Sequence, residues 1–238
     1  MAETSILSVP NHLIQTDFIG SESIEQLNRE GFRFKNETVK LIDDCRDAMA
    51  VLPAGIRGLV VGSGQNTSEW HRKSWETVDI WPLLDPSCPE SEQPTFVADV
   101  NYLSEVEGIK PGVYDYFLSE KLTLSPVAGT LVECSSTKGN QYNEPAVGHE
   151  NLLIQAAHVL KMGGKLIIKT ADFGNDESSN LPKSEEYALM MRKYGFAPVL
   201  EIHQIDDFTD PEKRVHGVQV TWYAEKVSDY KTQDSAGK

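Results

Sequence analysis

Apolar positions along this chain fall into blocks with two different spacings. Val39, Leu41-Ile42, Cys45 and Ala48-Met49 recur three or four residues apart. That spacing predicts an amphipathic helix, with Asn36 as its N-cap and Pro53 and Gly55 as its stop. Short continuous or alternating runs follow at 58–62, 76–80, 95–100, 113–119, 165–169, 197–202 and 217–225. Each predicts a strand, the last one alternating like a half-buried strand. Between the fourth and fifth runs, Leu152-Leu153, Ala156-Ala157 and Val159-Leu160 return to the helical period over 150–161, until Met162-Gly163-Gly164 ends it. A further helix is expected from Ser184 to Tyr194, with Gly195 just past its end. The stretches 68–75 and 102–109 have room only for short helices. Strands alternating with helices predict an α/β chain with a doubly wound, mainly parallel sheet.

The remaining segments lack a period. Residues 1–30 are polar with scattered apolar residues and are expected to form an arm or a cap. Residues 84–94, with three prolines, are expected to be a surface loop. A longer loop is expected over 121–148, broken only by a short apolar piece at Thr130-Leu131-Val132, and another over 171–184. Loops of that length usually carry function. The expected organisation is an N-terminal helical cap or arm over 1–50, a ligand-binding α/β domain over 51–226 and a polar tail over 227–238.

Composition narrows the classes. The 238 residues are 39% hydrophobic and 24% charged, ordinary values for a globular chain. No apolar run approaches the ~20 residues that span a bilayer. The N-terminus shows neither the basic start nor the apolar stretch of a secretory leader. Cys45, Cys88 and Cys134 are odd in number and far apart, which fits neither a disulfide framework nor a CxxC metal site. The expected compartment is the reducing cytoplasm. A net charge of −14 argues against broad nucleic-acid binding, which needs a basic face.

Candidate chemistry concentrates at strand ends. Leu59-Val60-Val61 runs into Gly62-Ser63-Gly64, where the missing Cβ atoms allow a sharp turn and a close-lying ligand. The third glycine of a dinucleotide fingerprint would fall at Thr67 and is absent. Asp79 ends the second strand, where a carboxylate can accept from both hydroxyls of a ribose. Asp99 ends the third and can accept from an exocyclic amine, with Val100 beside the ring. Ser119-Glu120 ends the fourth. Ligands of doubly wound sheets bind outside the carboxyl ends of the strands, so these residues should meet along one rim. An adenosine-type ligand suits that set.

These residues carry a family resemblance. The series GLVVGSGQ, ETVDIWP, FVADV, YDYFLSE and HENLLIQAAHVLKMGGKLIIK resembles the class I S-adenosylmethionine-dependent methyltransferases over about residues 55–225. The most specific piece is Leu160–Ile168, similar to that family's LKPGG before strand 5, with Met162 in place of proline. The resemblance implies a seven-stranded sheet whose last strand inserts antiparallel, and S-adenosylmethionine as cofactor. It implies that Gly62, Ser63 and Gly64 pass beside the methionine part and that Asp79 holds the ribose. Ile80 would pack on the adenine, Asp99 and Val100 would read its edge, and Ser119 and Glu120 would face the methyl. The segment from Gly64 to Asp79 is shorter than usual for a full first helix.

The acceptor is less defined. Methyl transfer from a sulfonium needs a base only when the acceptor must lose a proton. Glu120 is a candidate base or amine-orienting group. His149 opens the helix after the long loop, and His158 lies on its apolar face as a packed histidine. Phe18, Phe32, Phe34, Tyr142 and Phe173 are candidates to line an acceptor pocket. A second resemblance is to RNA ribose 2′-O-methyltransferases, which use a Lys-Asp-Lys-Glu set. Lys40 and Lys169 resemble its lysines, but Glu120 would replace its aspartate and Thr221 stands near where its final glutamate belongs. The expected activity is methyl transfer to a small-molecule acceptor, with Glu120 and Lys169 as catalytic candidates and no metal. An RNA acceptor is the alternative, less favoured at this net charge. A non-catalytic binding module of the same fold is another, and an NAD-dependent oxidoreductase is disfavoured by Thr67 and the LKMGG segment.

Overall fold

The structure is a computed structural model that describes residues 13–14, 38–84, 88–120, 122, 124–135, 141–172, 184–207 and 215–229. Expectations at Asn36, Phe18, Phe32, Phe34, Phe173 and residues 230–238 lie outside the described residues. The sheet strands, in chain order, are β1 (Leu13–Ile14), β2 (Gly58–Val61), β3 (Glu76–Asp79), β4 (Phe96–Val97) and β5 (Tyr114–Ser119). Four short strands follow outside this sheet: β6 (Leu124–Ser125), β7 (Leu131–Ser135), β8 (Gln141–Pro145) and β9 (Val147–Gly148). The sheet resumes with β10 (Leu160–Asp172), β11 (Phe196–Asp207) and β12 (Val215–Lys226). The helices are α1 (38–50), α2 (Thr67–Arg72), α3 (Trp81–Leu84), α4 (His149–Val159) and α5 (Ser184–Lys193).

The sheet runs β1-β11-β12-β10-β5-β2-β3-β4. Strands β10, β5, β2, β3 and β4 pair in parallel, and β12 lies antiparallel between β10 and β11. This is the class I methyltransferase topology, with the inserted last strand where the resemblance puts it. The eighth strand, β1, pairs antiparallel with the outer edge of β11. The polar composition of residues 1–30 gave no sign of it, because a two-residue edge strand has no period to detect.

Side-chain alternation splits the core into two layers. Leu59, Val61, Phe117, Leu166, Ile168 and Trp222 face one side, where Leu152, Leu153 and Ala156 of α4 and Tyr187 and Met191 of α5 cover them. Val60, Leu118, Ile167 and Tyr223 face the other, under Ile42, Cys45 and Ala48 of α1 and the indoles of Trp70 and Trp75. The three- and four-residue spacing of α1 thus reports its sheet-facing stripe.

Three expectations change. The 121–148 loop contains an antiparallel hairpin, β7–β8, and a short parallel pair, β6–β9. Its Ser, Gly and Asn content hid strands of two to five residues, too short to show a period. Helix α4 ends at Val159, not Lys161, and Leu160 is already extended with ψ 136°. Its opening residue, His149, is the buried histidine and stacks edge-on against Tyr187 at 5.6 Å, whereas His158 is half-buried.

The end of α4 is held by a distant lysine. Lys226 of β12 is 6% exposed, and its Nζ donates to the carbonyls of Ala157 at 2.8 Å and Leu160 at 2.9 Å. It satisfies carbonyls that the helix end leaves open. Lys226→Met should keep the aliphatic packing but orphan both oxygens. The expected cost is about 2–3 kcal/mol in denaturant unfolding, with no change in ligand affinity.

Candidate functional site

Chain order reverses between β2 and β5: β2, β3 and β4 step outward to one side, and β5 returns on the other. The strand ends splay there and leave a crevice. An open cleft sits at this point, lined by Gly62, Asp79, Ile80, Asp99, Val100, Leu122, Glu144, Pro145 and Val147.

Gly62 makes the approach possible. Its φ is +73°, and a Cβ there would lie 2.7 Å from Leu122 Cδ2 and 3.1 Å from the Leu122 backbone nitrogen. Gly64, at φ +49°, faces open space. Beyond it the chain makes one 3-10 turn and then the six-residue α2, which accounts for the short path from Gly64 to Asp79. Ser63 is fully buried, with its Oγ 2.8 Å from Thr67 Oγ1, and Thr67 in turn donates to the Gly64 carbonyl. The position that lacks the dinucleotide glycine is therefore a buried hydroxyl that pins the loop.

Asp79 is 9% exposed. Its Oδ2 accepts from Gly64 N at 2.6 Å and its Oδ1 from Trp81 N at 2.7 Å, so the acid is preset between the glycine loop and α3. Burial pushes its carboxyl above the ordinary aspartate value, against the pull of the Gly64 and Trp81 amides; the Glu144 carboxylate adds to the rise. Asp99 caps the 3-10 turn Val100–Glu105, and its Oδ1 accepts from both the backbone N and the side-chain Nδ2 of Asn101.

The structure brings Gly62, Asp79, Ile80, Asp99 and Val100 onto one cleft. Ser63 and Gly64 stand behind it as loop supports. Ser119, 1% exposed at the end of β5, has a hydroxyl without a hydrogen-bond partner. Neither Ser119 nor Glu120 is among the lining residues. Glu120 turns to the α1 side of the sheet, where its Oε2 accepts from Trp70 Nε1 at 2.6 Å. Lys169 is on that side too, with Nζ 5.8 Å from the Trp70 ring centroid. Burial lowers the Lys169 pKa, with the Glu120 charge acting the other way. Thr221 is the register partner of Lys169 on β12, and Lys40 is exposed on α1. Among the described residues no group of His, Cys, Asp and Glu has the arrangement of a metal site, and no helix is long and apolar enough to cross a membrane.

Two contributors escaped the sequence pattern. Glu144, Pro145 and Val147 reach the cleft from β8 and β9, more than 40 residues beyond Asp99. Asn101 is 4% exposed behind the cleft and joins its walls. The one signal for it is local: Asp-x-Asn after a strand is a turn in which the first side chain captures the backbone two residues on.

No family model and no curated protein matches the chain. Solved structures are similar to it at low identity. Phosphoethanolamine N-methyltransferase 2 of Haemonchus contortus, in complex with phosphomonomethylethanolamine and S-adenosylhomocysteine, is 15% identical with a TM-score of 0.41. The match covers 77% of this chain, which spans only about half (53%) of that one. Geranyl diphosphate C-methyltransferase of Streptomyces coelicolor is 12% identical, TM-score 0.46, covering 93% of this chain and 90% of that one. A possible histamine N-methyltransferase of Thermotoga maritima is 16% identical, TM-score 0.47, covering 84% and 95%.

Proposed function

We propose that this chain is an S-adenosylmethionine-dependent methyltransferase acting on a small-molecule acceptor. The observation that carries this is the joint lining of one switch-point cleft by Gly62, Asp79, Ile80, Asp99 and Val100. The residues present fit the cofactor. Asp79 offers a preset carboxylate to a vicinal diol, Asp99 an acceptor to an exocyclic amine, and Gly62 leaves room where a Cβ would press on Leu122. Ile80, Val100, Leu122, Pro145 and Val147 supply apolar walls to a flat ring and keep water out. When bound, S-adenosylmethionine supplies an electrophilic methyl group on a sulfonium. The chain's task is then to hold and align the acceptor. For a hydroxyl acceptor, Lys169 is the group whose lowered pKa suits it to take up a proton, with Glu120 beside it as counter-charge.

A second reading has a specific observation in its favour. Lys169 and Glu120 share the Trp70 indole, and Thr221 is next to Lys169 in register, which suits the RNA ribose methyltransferase set. The net charge of −14 weighs against it.

Titration calorimetry with S-adenosylhomocysteine tests the cofactor; binding is expected in the micromolar range, and its absence would sink the enzyme reading. Transfer of labelled methyl to a panel of small amines and phenols, against a capped RNA, separates the acceptors. Lys169→Ala is expected to cut transfer to a hydroxyl acceptor by about 10²-fold or more while leaving S-adenosylhomocysteine affinity unchanged. Loss of RNA methylation with no small-molecule turnover would favour the second reading.

A further inference from the structure

We infer that Asn101 is a positioning residue that fixes the base specificity of the cleft, an inference that rests on the cofactor reading above. Asn101 has no contact with the cleft of its own and acts through Asp99. Its backbone N and its Nδ2 both donate to Asp99 Oδ1, at 2.8 and 3.0 Å. Two donors on one oxygen lock the carboxylate's rotation and leave Oδ2 as the acceptor that Asp99 can present to a ligand. The same Nδ2 donates to the Ala146 carbonyl at 3.2 Å, and Asn101 Oδ1 accepts from Gly148 N at 3.4 Å. Ala146 sits between the lining residues Pro145 and Val147. One buried amide therefore spans the two walls of the cleft.

Its orientation is dictated from behind. Asn151 Nδ2 of α4 donates to both the Asn101 Oδ1 (3.0 Å) and its backbone carbonyl (2.9 Å), and Gln155 Nε2 donates to that carbonyl at 3.1 Å. With donors arriving on Oδ1 from Gly148 and Asn151, Nδ2 must face Asp99 and Ala146. A flipped amide would oppose donor to donor and oxygen to oxygen on every side. The network is satisfied in one arrangement only, which is the condition for a buried polar group to specify geometry.

The chemical consequence is a fixed acceptor at the base edge. An acceptor there fits a nucleobase with an exocyclic amine and opposes one with a carbonyl, because the mismatch leaves two oxygens facing each other without a proton. Asn101 thus makes the cleft select adenine over hypoxanthine. A freely rotating Asp99 would discriminate far less, since it could turn away from the carbonyl.

The test is the ratio of affinities for S-adenosylhomocysteine and its deaminated counterpart, S-inosylhomocysteine, measured by calorimetry. The unmodified chain should prefer the adenine form by about 10²-fold. Asn101→Asp keeps an acceptor for Gly148 and Asn151 and the backbone N–H donor to Asp99, but replaces the side-chain donor to Asp99 and Ala146 with an oxygen that opposes both. It should weaken the adenine ligand by more than tenfold and the hypoxanthine ligand by less than threefold, so that the ratio collapses. A general loosening of the fold would lower both affinities alike and leave the ratio standing, which would overturn the inference. Asn151→Ala removes only the rear anchor and covers the case in which Asn101→Asp does not fold. It should lower the ratio by at least threefold, and an unmoved ratio would again overturn the proposal. If the unmodified chain binds neither ligand, the cofactor reading falls and this inference with it. If it binds the adenine form and the ratio stays fixed in the variants, only the inference falls.

Discussion

Asp79→Ala should abolish measurable cofactor binding, with a loss of about 10²-fold or more in affinity for S-adenosylhomocysteine. Two hydroxyl bonds to a carboxylate are worth about 1.5–3 kcal/mol each, so losing both removes at least ~3 kcal/mol. The variant also strips the Gly64 and Trp81 amides of their acceptor, so the glycine loop loses its anchor along with the ligand. The acid further predicts a pH dependence. Hydroxyl donors bind the ionised carboxylate, and in the free protein burial holds the Asp79 pKa above its ordinary value. Binding must therefore lower that pKa and release a proton when it occurs below it. The sign follows: affinity is full above the raised Asp79 value and declines as pH falls through it, by at most tenfold per pH unit. Calorimetry in buffers of different ionisation enthalpy would reveal the released proton. An affinity flat with pH through the acid range would remove Asp79 from the ribose site.

The second large effect separates two glycines that the sequence presents as a pair. Gly62→Ala places a Cβ 2.7 Å from the Leu122 side chain and 3.1 Å from its backbone nitrogen, in a left-handed conformation. Backbone strain of ~1–2 kcal/mol and overpacking of ~1–3 kcal/mol add up to about 2–5 kcal/mol of destabilisation. Cofactor affinity should fall in parallel, because Leu122 lines the cleft. Gly64→Ala meets nothing within 4 Å and carries only the backbone term, about 1–2 kcal/mol. Thermal unfolding should show the difference as a Tm drop several degrees larger for Gly62 than for Gly64. Equal losses would mean that the two glycines serve the turn alone and that Leu122 yields.

Much of this architecture is written locally. The apolar spacing from Val39 to Met49 is one stripe of α1, and the apolar blocks at Leu59–Val61 and Phe117–Leu118 are strands buried on both faces. Each reports its own burial through its own period, which needs no knowledge of partners. The acids at 79 and 99 follow directly from where those blocks stop. The mainly parallel sheet followed from strands alternating with helices, and the inserted last strand from the likeness to a known family; the strand pairing agrees with both.

What the sequence could not decide is everything set by an element packing from far along the chain. Glu120 follows Ser119 directly, yet the pleat sends the two to opposite faces, and only the position of Trp70 shows that Glu120 is held there. The hairpin that brings Glu144 to the cleft is composed like a loop, because two five-residue strands rich in polar residues show no apolar rhythm. Asn101 has the least local signature of all. Its seven hydrogen bonds reach back to Asp99 and forward to Ala146, Gly148, Asn151 and Gln155. A polar side chain between a strand and a turn has many ways to be satisfied by water. Burial removes the water, and the tertiary structure then decides which groups must replace it.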